Sequence, residues 1–151
     1  MVGIKTLAVN RKANYNYEII DRIEAGLVLL GTEIKAMREG RVEFSDSYAK
    51  PDKGELWLEN AHIGAYSAGG TYNHQPKRPR KLLLHKDQID SLTSSVDEKG
   101  LTLVPLRLYL KGGKAKIELG VARGRKRYDK RRVLKEKERE REAQEATRRR
   151  I

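Results

Sequence analysis

Apolar residues in this chain recur in short runs, and their period changes along it. Between Tyr17 and Ile23 they fall on alternate positions, with Tyr17, Ile19 and Ile23 on one face and Glu18 and Arg22 on the other, which predicts a half-buried strand. Gly26 interrupts it, and Leu27–Leu30 predicts a short buried strand. Gly31–Thr32 then opens a helix, with Thr32 as N-cap, Ile34 and Met37 three apart on one face, and Gly40 as the stop. Ser45–Ala49 reads as a strand, Pro51–Gly54 as a turn, and Leu56 and Leu58 as the inward positions of the returning strand. Tyr66–Arg80 has no period and is rich in Gly, Asn and Pro, the composition of a long loop.

A second helix is predicted from His85 to about Val96, with Ile89 and Leu92 on one face and Gly100 beyond its end. Leu101–Leu110 reads as a strand, in which Pro105 calls for an edge or a bulge. Gly112–Gly113 forms a hairpin turn, and Ala115, Ile117, Leu119 and Val121 alternate with polar or small residues as the cleanest strand of the chain. About six strands and two helices predict a mainly β protein, an OB-type antiparallel barrel with flanking helices.

Composition divides the chain in two. Residues 123–151 hold 14 basic and 6 acidic side chains and so carry +8 of the net +12, with too few apolar residues to dock on a core. Residues 1–122 form the barrel, and 123–151 a basic tail that is disordered when free. Glutamates interrupt the cations from Val133 onward in i,i+4 pairs such as Arg132–Glu136 and Arg141–Glu145, and no Gly or Pro follows Gly124, so this tail has the makings of a conditional helix. A pI near 10.0 favours a phosphate backbone as partner. No amphipathic segment suits a membrane surface, and MVGIKTLAVN lacks the apolar core of a signal peptide. With no cysteine, disulfides and thiolate metal sites are excluded, and a cytoplasmic location is expected.

The chemistry-bearing residues point away from catalysis. His62, His74 and His85 lack metal-binding spacing and read as exposed or capping side chains; no serine sits in a nucleophile elbow and the glycines form no P-loop. No enzyme activity, cofactor or metal is therefore expected. Three cationic clusters remain. Asn10–Arg11–Lys12 suits phosphates and sugar hydroxyls at a barrel rim, or a solvated arm. Lys77, Arg78, Arg80 and Lys81 are four cations in five residues, which repel one another unless an anion lies between them; RNA phosphate is the expected anion, and Leu82–Leu84 the anchor to the core. Gly124–Arg125–Lys126–Arg127–Tyr128–Asp129–Lys130–Arg131 places one aromatic ring in a cationic run, either a base-stacking element or a basic tail with an incidental tyrosine.

The ordered strings NRKA (10–13), EAGLVLLGTEIKAMREG (24–40), SDSYA (45–49), GELWLENAHI (54–63), RPRKLLLHK (78–86), EKGLTLVPLRLYLK (98–111) and GVARGRKRYDKR (120–131) resemble the SsrA-binding protein (SmpB) family over nearly the whole chain. The resemblance implies an OB-type barrel that binds the tRNA-like domain of tmRNA. It implies delivery of that RNA with elongation factor Tu to the small subunit and rRNA of stalled ribosomes, a non-enzymatic step of trans-translation. Asn10, Glu24 and Leu83 match family positions needed for tmRNA binding. Gly124, Arg125, Lys126, Tyr128, Asp129, Lys130 and Arg131 match the segment that enters the decoding centre, beyond which the tail turns helical in the empty mRNA channel. The alternative is a structural ribosomal protein or general single-stranded RNA binder. Two places depart from the family pattern: Asn14 and Tyr15 stand where Arg-His is common, and Arg139 follows Lys135–Glu138 where many members have tryptophan.

Overall fold

The computed structural model describes residues 3–124 and 127–149. Strand β1 (Ile4–Val9) leads through a one-turn helix α1 (Ala13–Asn16) into the long strand β2 (Tyr17–Leu27), followed by helix α2 (Gly31–Arg38). Strands β3 (Val42–Glu43), β4 (Tyr48–Asp52), β5 (Glu55–Glu59) and β6 (His62–Ile63) come next, then β7 (Arg80–Leu83), helix α3 (Lys86–Asp97), strands β8 (Thr102–Lys111) and β9 (Lys114–Gly124), and helix α4 (Arg127–Arg149). All pairings are antiparallel. The ring β8–β4–β5–β7–β2–β9 closes on itself through β8–β9, and its thinnest seam is the single pair Ala49–Leu103 between β4 and β8. Strand β1 is added outside the ring on β8, while β3 and β6 make a separate two-stranded ribbon. This is the expected mainly β, OB-like barrel with flanking helices.

The alternation read in the sequence explains the interior. Leu56, Leu58, Leu82, Leu103, Leu108, Ile117 and Leu119 are buried inside the ring, each contributing on the order of 1.5–3 kcal/mol by leaving water. Ala36 and Met37 from α2 and Leu92 from α3 complete the core. Two tight hairpins fix the register of β4–β5 and β8–β9. Lys53 and Gly54 (φ +50° and +79°), and Gly112 and Gly113 (φ +58° and +78°), are two-residue loops with both residues left-handed, the turn whose twist matches paired strands.

Several local expectations change. Gly26 does not break β2: it pairs with Leu83 on one side and Lys116 on the other, and its missing side chain lets Leu83 sit close, since a Cβ there would lie 3.1 Å from the Leu83 Cβ. Beyond Leu27 there is no second strand; Val28 and Leu30 are exposed, and Leu30, not Thr32, is the N-cap of α2. The strand expected at Ser45 begins only at Tyr48, because Ser45 and Ser47 bond back to Glu43 and Phe44 in a turn. Pro51 lies within β4, so the turn is two residues shorter. The expectation at Pro105 holds in its second form: it stands at a bulge within β8, where the register slips between Pro105 and Arg107. Strands β1, β3 and β6 and the short α1 carry no periodic signal of their own, and the short alternation of β7 lies within the cationic run.

Candidate nucleic-acid interface

Four adjacent strands, β8, β9, β2 and β7, turn a polar outer face to solvent. Their register builds it in rows. Tyr109 pairs with Lys116, Lys116 with Gly26 and Gly26 with Leu83; in the next row Arg107 pairs with Glu118 and Glu118 with Glu24. Glu24 and Glu118 are thus directly opposed carboxylates, a placement that repels unless each has its own partner. Each does. Glu118 accepts from Arg22 Nη1 at 3.3 Å and lies 3.9 Å from Arg107 Nη2. Glu24 accepts a short hydrogen bond from the Tyr109 hydroxyl and lies 3.5 Å from Lys111 Nζ.

The hydrogen bond from Tyr109, helped by Lys111 and Lys116, holds the Glu24 carboxyl below its ordinary range against a smaller opposing effect of burial. Burial and the bond to Glu24 together push the Tyr109 phenol upward. Arg107 covers the Tyr109 ring at 4.4 Å from its centroid, and the residue is only 2% exposed. The face keeps a positive excess, with Arg22, Arg107, Lys111 and Lys116 against Glu24 and Glu118. Leu83, half exposed on its glycine seat, adds an apolar ledge diagonal to Glu24.

Asn10 borders the same face. Its backbone N–H donates to Leu106 at 2.8 Å and its Nδ2 to Pro105 at 2.9 Å, so it pins the β1–α1 corner to the β8 bulge. A carbonyl at 2.9 Å requires the amide nitrogen there and fixes the side-chain orientation. Its Oδ1 is buried and has no partner among the described residues. Arg11 and Lys12 are exposed beside it, Lys12 as the N-cap of α1. Between this corner and the face lies an open depression of about 440 Å³, lined by Asn10, Asn14, Arg22, Leu106, Arg107 and Glu118 among others.

The cationic run at 77–81 behaves differently from expectation. The anion for its two arginines is Glu33, a side chain with no solvent exposure. Glu33 Oε1 accepts from the Leu30 backbone N–H at 2.8 Å, capping α2, and from Arg78 Nη2 at 2.5 Å; Oε2 receives Arg80 at 2.6 Å. Arg80 is itself fully buried and spends its other donors on the carbonyls of Ala61 (2.6 Å) and Pro76 (3.0 Å). It is a structural tie between β7, α2 and the 61–76 segment, and no face of it is open to a phosphate. Burial alone would push Glu33 up, but the bonds from Leu30, Arg78 and Arg80 outweigh it and hold the carboxyl below its usual range. Desolvation lowers Arg80, and Glu33 restores part of the loss. Lys81 pairs with Glu55 at 3.2 Å and keeps partial exposure; Lys77 is exposed. Of Leu82–Leu84, Leu82 alone is the deep anchor.

Sequence reasoning also missed the histidine ties. His85 caps α3 and His62 is exposed, but His74 is buried. Its Nε2 donates to Ile63 O at 2.8 Å, so in the neutral ring Nδ1 accepts from Thr32 Oγ1 at 2.9 Å. Thr32, first read as a cap, is the signal that pairs with it. In the tail, Gly124 closes β9 and Arg131 is exposed on α4. Arg125 and Lys126 lie outside the described residues, as do the side chains of Tyr128, Asp129 and Lys130, whose backbone is helical. Helix α4 touches the rest of the molecule at α1 and turns exposed side chains, Leu134 included, to solvent. No described helix is long and apolar enough to cross a membrane.

Fold and face together define a small OB-type barrel with a cation-rich outer sheet and a basic helical extension. The family model described as SmpB protein matches residues 7–149. The SsrA-binding protein of Corynebacterium glutamicum (strain R) is 56% identical over 96% of this chain and 88% of its own length, and that of Carboxydothermus hydrogenoformans 54% identical over 95% and 97%. Among solved structures, a chain from the work on tmRNA-SmpB at the center of the bacterial ribosome superposes with a TM-score of 0.68 at 46% identity, covering 84% of this chain and 93% of that one. The chain belongs to the SmpB family.

Proposed function

We propose that this protein binds the tRNA-like domain of tmRNA through the outer face of β8, β9, β2 and β7, and brings it to stalled ribosomes in trans-translation. The observation that carries this reading is the convergence on that face. Asn10, Glu24 and Leu83, distant in sequence, border one polar surface with a cationic excess, and the chain is a member of the SmpB family. Lysines and arginines there (Arg11, Lys12, Arg22, Lys111, Lys116) neutralise phosphate and release counterions, while Glu24 and the Leu83 ledge meet groups that phosphate contacts cannot distinguish. The protein works as an RNA-binding factor in the cytoplasm, without catalysis of its own, and meets elongation factor Tu through the RNA it carries.

The tail has a separate task. Residues 124–131 engage the decoding centre, and the Glu-interrupted remainder lies as a helix in an mRNA channel that holds no message. Free in solution this helix frays, because it offers no apolar stripe to pack and isolated helices are marginal. A gel-shift competition tests the RNA specificity. Binding to the tRNA-like RNA is expected to survive an excess of unstructured RNA at physiological salt; indiscriminate displacement would instead make the protein a general single-strand binder.

A further inference from the structure

Glu24 poses a physical problem on an RNA-binding face. A carboxylate beside phosphate is repelled, and a mobile one offers no fixed direction to a hydrogen-bond donor. It is also directly opposite a second carboxylate, Glu118. The structure answers with a rigid donor. Tyr109 comes from β8, two strands away; its ring is held between the sheet and the Arg107 guanidinium at 4.4 Å and is almost wholly buried. Its hydroxyl has one place to point, and it points at Glu24 Oε2. Oε1 pairs with Lys111 Nζ at 3.5 Å, so the carboxylate plane is set from both sides while the side chain stays partly exposed.

We propose that Tyr109 is a positioning residue: it fixes Glu24 as an oriented hydrogen-bond acceptor for a donor group of the bound RNA, so that the RNA meets a carboxylate whose ordering cost has already been met by the fold. The proposal rests on the reading that Glu24 contacts RNA. A donor-bearing group, not a phosphate oxygen, is the matching chemistry, because an ionised carboxylate only accepts. Tyr109 is set apart from other residues of the face by touching no solvent of consequence, so its influence on RNA passes through Glu24.

The test is a double-mutant cycle on the full chain, reading affinity for the tRNA-like RNA with wild type, Tyr109→Phe, Glu24→Ala and the double variant. Phenylalanine keeps the ring and its contact with Arg107 and removes only the hydroxyl. Tyr109→Phe is expected to weaken binding by about three- to tenfold, the scale of one immobilised side chain. Glu24→Ala weakens it at least as much, and Tyr109→Phe then adds nothing in the Glu24→Ala background. Carbon-13 NMR titration of the Glu24 carboxyl in free protein supplies a second readout: it is expected to move up in Tyr109→Phe, a change that packing alone would not produce. Wild-type affinity in Tyr109→Phe alongside a weakened Glu24→Ala, or additive losses in the double variant, would overturn the positioning role. Wild-type affinity in Glu24→Ala would overturn both the role and the RNA contact on which it rests. Failure of the wild-type protein to prefer the tRNA-like RNA would reject the functional reading itself.

Discussion

Arg80 lies in the most cationic five-residue stretch of the barrel and meets no solvent at all. The composition of that stretch calls for an anion, expected to be RNA phosphate; for Arg78 and Arg80 it is an internal glutamate. Glu33 was visible in the sequence as a first-turn acid of a predicted helix, but nothing local says that it faces β7, since ion pairs between distant elements follow topology and not spacing. Replacing Glu33 by glutamine leaves Arg80 buried without its charge partner, a change that costs about 3–5 kcal/mol when one member of a buried pair is lost. Urea denaturation should show that loss at neutral pH. The sign of its pH dependence is set by the lowered Glu33 carboxyl. Its contribution is complete above the ordinary value of 4.5 and disappears as pH falls below it through the folded value. The difference between wild type and Glu33→Gln should therefore narrow only in acid, and a gap that stayed constant to pH 2 would refute the assignment. Glu24 is the complementary case: its proposed role comes from family likeness alone, and its partner Tyr109 is 85 positions away, inside a strand whose pattern gives no sign of the contact.

At the scale of elements, legibility followed the strength of the period. Strand β9 and helix α3 were read close to their observed limits, because alternation and i,i+3 spacing there agree with the glycines that bound them. Strand β1 was missed because it lies outside the ring and, of Ile4–Val9, only Leu7 and Ala8 are even partly buried; it is ordered by its pairing with β8, which no local pattern reports. Strand β7 was hidden inside a cationic motif whose charge outweighed its alternation. Gly26 was read as a break because glycine usually weakens strands, whereas here a cross-strand leucine needs the space. Helix α4 is the element whose behaviour depends most on surroundings. Its i,i+4 ion pairs are worth about 0.3–0.5 kcal/mol each, too little to hold 23 residues without packing. Far-UV circular dichroism of the full chain and a version ended at Gly124 should differ by less than 23 helical residues in free protein. The difference should grow when ribosomal RNA is added. A full helical difference without RNA would mean that α4 is self-supporting.

The whole molecule is built as two unequal charges. The barrel portion is nearly balanced and uses its ions in fixed arrangements: Glu33 between two arginines, Glu118 between two more, Glu24 between a tyrosine and a lysine. The tail carries two-thirds of the net charge, and among the described residues its main contact with the rest of the molecule is at α1. On the proposed function, that division suits one part to recognising a particular RNA surface and the other to entering a channel walled by phosphate. It also separates two outcomes that a single RNA-binding domain would lose together. The direct test is alanine transfer to the nascent chain on ribosomes stalled without a codon, comparing the full protein with one ended at Gly124, with tmRNA affinity measured in parallel. The truncated protein should retain most of its tmRNA affinity and support no transfer; full transfer by the truncated protein would contradict the account.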